Sequence, residues 1–191
     1  DNDLRVVICP DGPLYYLPFC LLVDEQGHYL VERHALSYTS SLAAVKPVPP
    51  PGNGGALIYA DPVVGSGPGP PSLGLFRQSF SALPQAVAEA RGVAQLYPQA
   101  RIRLGAECQE GRFWEDVRSS PASVIHLATH GVANDTNPWL SALLMAPEAG
   151  GGGFLLAQTM FAHRMGARLA VLSACQTSLG RVMGGAGMVG L

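Results

Sequence analysis

The sequence predicts an α/β domain built on a mostly parallel sheet, and three observations carry that reading. From Ala56 onward, short apolar runs alternate with segments whose apolar residues recur at helical spacing. The strand-like runs are almost continuously apolar, as strands covered on both faces are. The composition, 48% hydrophobic and only 14% charged, is that of a packed core. A length of 191 residues amounts to about one domain. The formal net charge of −2 supplies no basic field for nucleic acid or an anionic membrane. No apolar run is long enough to span a bilayer.

Residues 1–45 read as a small strand-rich part. Leu4 to Cys9 is a β-branched run closed by the turn signal Pro10-Asp11-Gly12-Pro13, and Tyr29 to Tyr38 alternates well enough for a strand. Residues 46–55 are a Pro/Gly linker, and residues 56–191 form the α/β core. Within that core, Ala56–Ala60 is a short buried strand ended by Asp61-Pro62, and Gly65 to Gly74 is a loop. Leu83 to Leu96 places Leu83, Ala86, Val87, Ala90, Val93 and Ala94 at helical spacing, and Pro98 stops it. Arg101–Leu104 is a strand, and Glu107–Val117 a helix with Phe113, Trp114 and Val117 inward. Ser123–Thr129 is a buried strand ended by His130-Gly131, and Leu140–Met145 is extended. Leu155–Met165 reads as a helix, and Leu169–Ser173 as a strand ended by Ala174-Cys175.

The chain opens on Asp1, and Gly184 to Leu191 reads as a small-residue helix that has barely begun. Both features predict a piece of a longer protein, with a C-terminal boundary inside the domain. Cys9, Cys20, Cys108 and Cys175 form no CxxC pair, so reduced thiols in an intracellular, cytoplasmic protein are expected.

Ligands of open α/β sheets bind beyond the carboxyl ends of the strands, which directs attention to Asp61, His130 and Cys175. If the strands before His130 and Cys175 are neighbours, both side chains emerge on one sheet edge. An imidazole can take the proton of a thiol and create the nucleophilic thiolate. Gly131 admits close approach of a substrate, and the Gly131 and Cys175 N–H groups are candidate oxyanion donors. These parts suffice for a cysteine peptidase. A plainer reading stays open, in which the Cys is core and the His a satisfied polar residue.

The local sequences around that pair carry a resemblance. Val124-Ile-His-Leu-Ala-Thr-His-Gly131 with Val171-Leu-Ser-Ala-Cys-Gln-Thr177 resembles the CHAT domain, a caspase-like family related to separase and the caspases. The stretches Val6 to Phe19, Tyr29 to Arg33 and Ser81 to Pro84 resemble the same family. Ser-Ala-Cys-Gln is close to the Gln-Ala-Cys pattern of caspases, whose histidine also lies about 50 residues upstream. The resemblance implies a three-layer α/β/α caspase-like fold with its C-terminal strands missing from this sequence, a His130–Cys175 catalytic dyad and an oxyanion site from Gly131 and Cys175. It implies action on a protein substrate, or on the chain itself, without metal or organic cofactor. It also implies TPR repeats or another regulatory partner upstream. The alternative from another class is a catalytically idle interaction module that keeps the fold.

Asp61 would favour Arg or Lys in a substrate if it lines the pocket; the plainer reading is a turn-former before Pro62. Asp135 reads as a turn residue and stays outside the catalytic set. His126 and His130 are four apart, but on a strand and without a third ligand, so His126 reads as a hydrogen-bonded core residue and not as a zinc ligand. His28 and His163 read as surface residues. Cys9, Cys20 and Cys108 read as structural.

Overall fold

The computed structural model describes residues 4–39, 41–45, 54–64, 80–119, 122–134, 136–149, 152–174, 181–183 and 187–189. The chain forms two compact units, Asp1–Pro47 with Arg181–Val189, and Val48–Gly180 with Gly190–Leu191.

In the first unit, β1 (Arg5–Ile8) and β2 (Ala35–Tyr38) pair in parallel, Arg5 opposite Ala35 and Ile8 opposite Tyr38. Two 3-10 turns, Gly12–Tyr16 and Phe19–Leu21, occupy the aromatic stretch between them. The expected strand over Tyr29–Tyr38 is corrected in its first half, where Leu30–Arg33 forms a single helical turn, α1. The Glu32 carboxylate accepts the Tyr29 N–H at 2.7 Å, the bond that starts a helix. Arg33 then bonds the Asp24 carboxylate at 3.0 Å, tying that turn to the preceding hairpin.

The expected C-terminal helix is corrected as well. Arg181–Met183 (β10) and Gly187–Val189 (β11) pair antiparallel, Val182 opposite Met188. A glycine-rich segment loses more entropy in a helix than other residues do, and strand pairing satisfies the same backbone groups. These residues, expected in the second part, group with the first unit.

The second unit is a mixed α/β structure on a four-stranded, all-parallel sheet of order β4-β3-β5-β9. Its strands are β3 (Gly55–Pro62), β4 (Arg101–Gly105), β5 (Ala122–Ala128) and β9 (Leu169–Ser173). All four follow the apolar runs of the sequence. A Cβ at Gly55 would collide with the Gln99 carbonyl oxygen, so the linker must deliver a glycine there. The chain steps from β3 outward to β4 and then returns to β5 on the other side of β3. The order therefore switches between β3 and β5.

Crossovers running in opposite directions place their helices on opposite faces of the sheet. On one face, α2 (Pro84–Gln95) lays Ala86 and Ala90 against Ala56, Ile58, Ala60, Val124 and Ala128. On the other, α3 (Glu110–Ser119) packs Phe113 and Trp114 on Leu57, Tyr59, Ile125 and Leu127. α3 begins three residues later than the sequence suggests, because Cys108 N–H first closes a turn on the Gly105 carbonyl.

A small antiparallel sheet, β6-β7-β8, leaves the end of β5. It contains β6 (Gly131–Val132), β7 (Ala142–Leu144) and β8 (Phe154–Leu156). The helix expected over Leu155–Met165 is thus partly a strand, and only Ala157–Ala162 is helical, as α4. Leu155 is fully buried opposite Leu143, a burial that strand pairing provides. Leu140, expected in the extended stretch, closes a 3-10 turn over Pro138–Leu140. The loop Gly65–Gly74 lies outside the described residues. Among the described residues no helix is long and apolar enough to cross a membrane.

Candidate active site

The residues at the carboxyl ends of β3 and β5 flank the point where strand order switches, the position at which open α/β sheets bind ligands. β5 and β9 are direct neighbours, with Ala128 opposite Ser173. A cleft of about 540 Å³ opens above them, bounded by the start of α2, by Thr129 and His130 after β5, and by Leu172, Ser173 and Ala174. Cys175 follows Ala174 in the chain and lies outside the described residues, as does Asp135.

His130 is held from three directions. Its carbonyl accepts Leu144 N–H at 2.8 Å, and the neighbouring buried Thr129 donates its hydroxyl to the Leu144 carbonyl at 2.7 Å. Its ring lies 5.0 Å from that of Phe80, and Nε2 lies 2.8 Å from the Ser81 carbonyl oxygen. A carbonyl can only accept, so Nε2 carries the proton in that bond. In the neutral ring, Nδ1 is then the basic nitrogen.

The bond from Leu144 N–H to His130 O also fixes the neighbouring pair, Gly131 opposite Leu143. In antiparallel pairing, that bond marks Gly131–Leu143 as the pair that exchanges no hydrogen bonds of its own. The Gly131 N–H is therefore directed away from β7. A buried glycine following the histidine thus presents a backbone donor on the side away from the small sheet.

Asp61 has φ +49°, a left-handed conformation that aspartate tolerates better than most residues. It makes a bulge in the pairing of β3 with β4, between Ala60 and Pro62. Its Oδ1 accepts Leu83 N–H at 2.6 Å, at the residue that caps α2. Asp61 and His130 therefore both bind the segment 80–83, one through an amide and the other through a carbonyl.

His126 is buried at 4% exposure on the α2 face of β5. Its Nε2 lies 3.0 Å from Glu89 Oε1, yet it makes no aligned hydrogen bond. The expectation of a core residue fits; that of a satisfied ring nitrogen does not, because Glu89 approaches off the donor direction. Glu89 also accepts the Ser173 hydroxyl at 3.3 Å. His163 is exposed at the end of α4, and its ring lies 4.4 Å from that of Trp114.

Cys108 is wholly buried, and its thiol donates to the carbonyls of Ala60 and Arg103 at 3.3 and 3.2 Å. Burial pushes this thiol up to about 12, which makes it a poor nucleophile near neutral pH. Cys9 is exposed and Cys20 half-buried. Among the described residues no three His, Cys, Asp or Glu side chains gather as a metal site.

The CHAT domain family model matches residues 2–191. The chain belongs to the CHAT domain family. Its match covers both units and includes His130, Gly131 and Cys175. No curated protein matches the chain. Two groups around this CHAT domain's cleft carry no signal in the sequence alone. The Ser81 carbonyl is a backbone group without a signature of its own, although Ser81 to Pro84 belongs to the family resemblance. Glu89 sits on a helix at a position that reads as solvated surface.

Proposed function

We propose that this chain is the catalytic part of a caspase-like cysteine endopeptidase, with α2 and α3–α4 as the outer layers of a three-layer fold. The observation that carries the reading is the His130 ring, fixed at the end of β5 by its Nε2–H bond to the Ser81 carbonyl. That tautomer makes Nδ1 the base. Cys175 follows the neighbouring strand, and its thiol gives its proton to Nδ1. The thiolate attacks the peptide carbonyl carbon, and the carbonyl electron pair moves onto oxygen, between the Gly131 and Cys175 N–H groups. Collapse of that intermediate breaks the C–N bond, and the imidazolium protonates the departing amine. Water, deprotonated by His130, then releases the acyl group and restores the thiol.

The substrate is a protein or the chain itself, and a regulatory partner, such as upstream TPR repeats, gates the reaction in the cytoplasm. Membership of the CHAT family supports a peptidase over other α/β enzymes. An electrophilic thiol probe tests the reading. Labelling is expected to favour Cys175 over Cys9, Cys20 and Cys108, and to be lost in His130→Ala. Turnover of a peptide library is expected to disappear in Cys175→Ala. Equal labelling of the four thiols, with no turnover, would instead leave a binding module that keeps the fold.

A further inference from the structure

Among the described residues around the cleft, Glu89 is the one carboxylate, and no lysine or arginine accompanies it. We propose that Glu89 forms a subsite for a cationic side chain, so that the cleft takes a Lys or Arg residue of a peptide. This deepens the peptidase reading and rests on it only for the cleavage arm of the test.

Three observations carry the assignment. The Glu89 side chain is 41% exposed, so a ligand can reach it from the cleft. Its existing partners leave lone pairs of the carboxylate free. The Ser173 hydroxyl is a neutral donor at 3.3 Å, and the buried His126 Nε2, 3.0 Å away, is not aligned to bond. A carboxylate has about four lone-pair sites, enough to receive an ammonium or guanidinium as well. The third observation is position. Ser173 pairs with Ala128, two residues before His130, so Glu89 meets the strands roughly 7 Å from His130 along their direction. A lysine or arginine stem covers a comparable length, and Leu83 and Ala86 provide apolar wall for its methylenes. A neutral side chain reaching the same place would desolvate the carboxylate without adding a charged partner.

Binding tests the subsite apart from catalysis. Benzamidine and its neutral analogue benzamide are titrated into the full chain and followed by amide shifts of Glu89 and Ser173. Benzamidine is expected to bind at least about 10-fold more tightly, with weakening at high salt. Glu89→Gln should abolish the difference, while Glu89→Asp, which keeps the charge, should retain part of it and guards against misfolding as the cause. Equal binding of the two compounds, or discrimination that persists in Glu89→Gln, overturns the subsite. In the cleavage arm, the ratio of kcat/KM for Arg-containing over Gln-containing peptides should fall about 100-fold in Glu89→Gln. Glu89→Lys should turn the preference toward acidic peptides. Cleavage without charge preference sinks the subsite and leaves the peptidase reading intact. Glu89-dependent discrimination without any cleavage supports the subsite and sinks the peptidase reading.

Discussion

The two faces of the parallel sheet are built from different residues. Under α3, the contacts are large and fully buried: Leu57, Tyr59, Phe113, Ile125 and Leu127, with Leu143, Met145 and Leu155 beyond them. Under α2 they are mostly alanines, with Ala56, Ala60, Ala86, Ala90 and Ala128 bringing helix and strands close. The polar groups divide in the same way. On the α3 side, Asp116 is saturated: it accepts Tyr59 OH at 2.7 Å, Arg103 Nε at 2.9 Å and a further bond from Arg101. On the α2 side, Glu89 and His126 face one another without an aligned bond, and His130 stands at the mouth of a cleft. One face is closed and provides rigidity; the other keeps incompletely satisfied polar groups where a ligand can reach them.

If that division is right, the largest losses of stability belong to the α3 face. Phe113→Ala should cost about 3–5 kcal/mol in chemical denaturation, since it empties a fully buried aromatic site. Ala90→Leu on the α2 face should cost less, about 1–3 kcal/mol, because overpacking is relieved by a small shift of the helix. A larger loss for Ala90→Leu than for Phe113→Ala would break the comparison.

Asp116→Ala comes between the two, at about 3 kcal/mol, because it leaves Arg103 and the Tyr59 hydroxyl without their shared acceptor. The same network sets an acid limit. Burial by itself would raise the Asp116 carboxyl, but hydrogen bonds from Arg103, Tyr59 and Arg101 outweigh it and hold it at about 2. A carboxyl depressed in the folded state contributes stability above its unfolded value, near pH 4, and loses that contribution as pH falls toward 2. The expected loss over that window is about 2 kcal/mol, read from denaturation at pH 5 and at pH 2. In Asp116→Ala this part of the pH dependence should vanish.

The closed face was largely legible in the sequence, and the open one only in part. Strands β3, β4, β5 and β9 are continuous apolar runs, and Phe113 and Trp114 stand at inward helical positions, so period and composition find them. The last two residues of β8 read as the start of a helix because Leu155-Leu156 runs without alternation into helix-forming residues; only pairing with β7 decides them. At the site, His130 and Gly131 are marked by following a buried strand. The Ser81 carbonyl and the direction of the Gly131 N–H are backbone properties, the same for any residue type, and become visible only once β6 and β7 are paired. Glu89 escaped because a glutamate on an amphipathic helix is ordinarily solvated, and its neighbours Ser173 and His126 are 84 and 37 positions away in sequence.

The smallest expected effect tests whether the open face is organised at all. Asp61 holds Leu83 N–H, and two residues earlier the Ser81 carbonyl holds the His130 ring. Asp61→Ala removes a helix-end acceptor and places a Cβ residue with no local hydrogen bond at φ +49°, so a loss of about 1 kcal/mol is expected. Asp61→Asn keeps an acceptor oxygen and tolerates that backbone, and should lose only a few tenths. The informative readout is local: amide exchange at Leu83 should quicken in Asp61→Ala but not in Asp61→Asn. If the segment 80–83 acts as one piece, the His130 ring loosens with it, and Asp61→Ala should also slow thiol labelling of Cys175. Faster exchange at Leu83 with unchanged Cys175 labelling would mean that Phe80, the Ser81 carbonyl and β6–β7 suffice to hold the histidine.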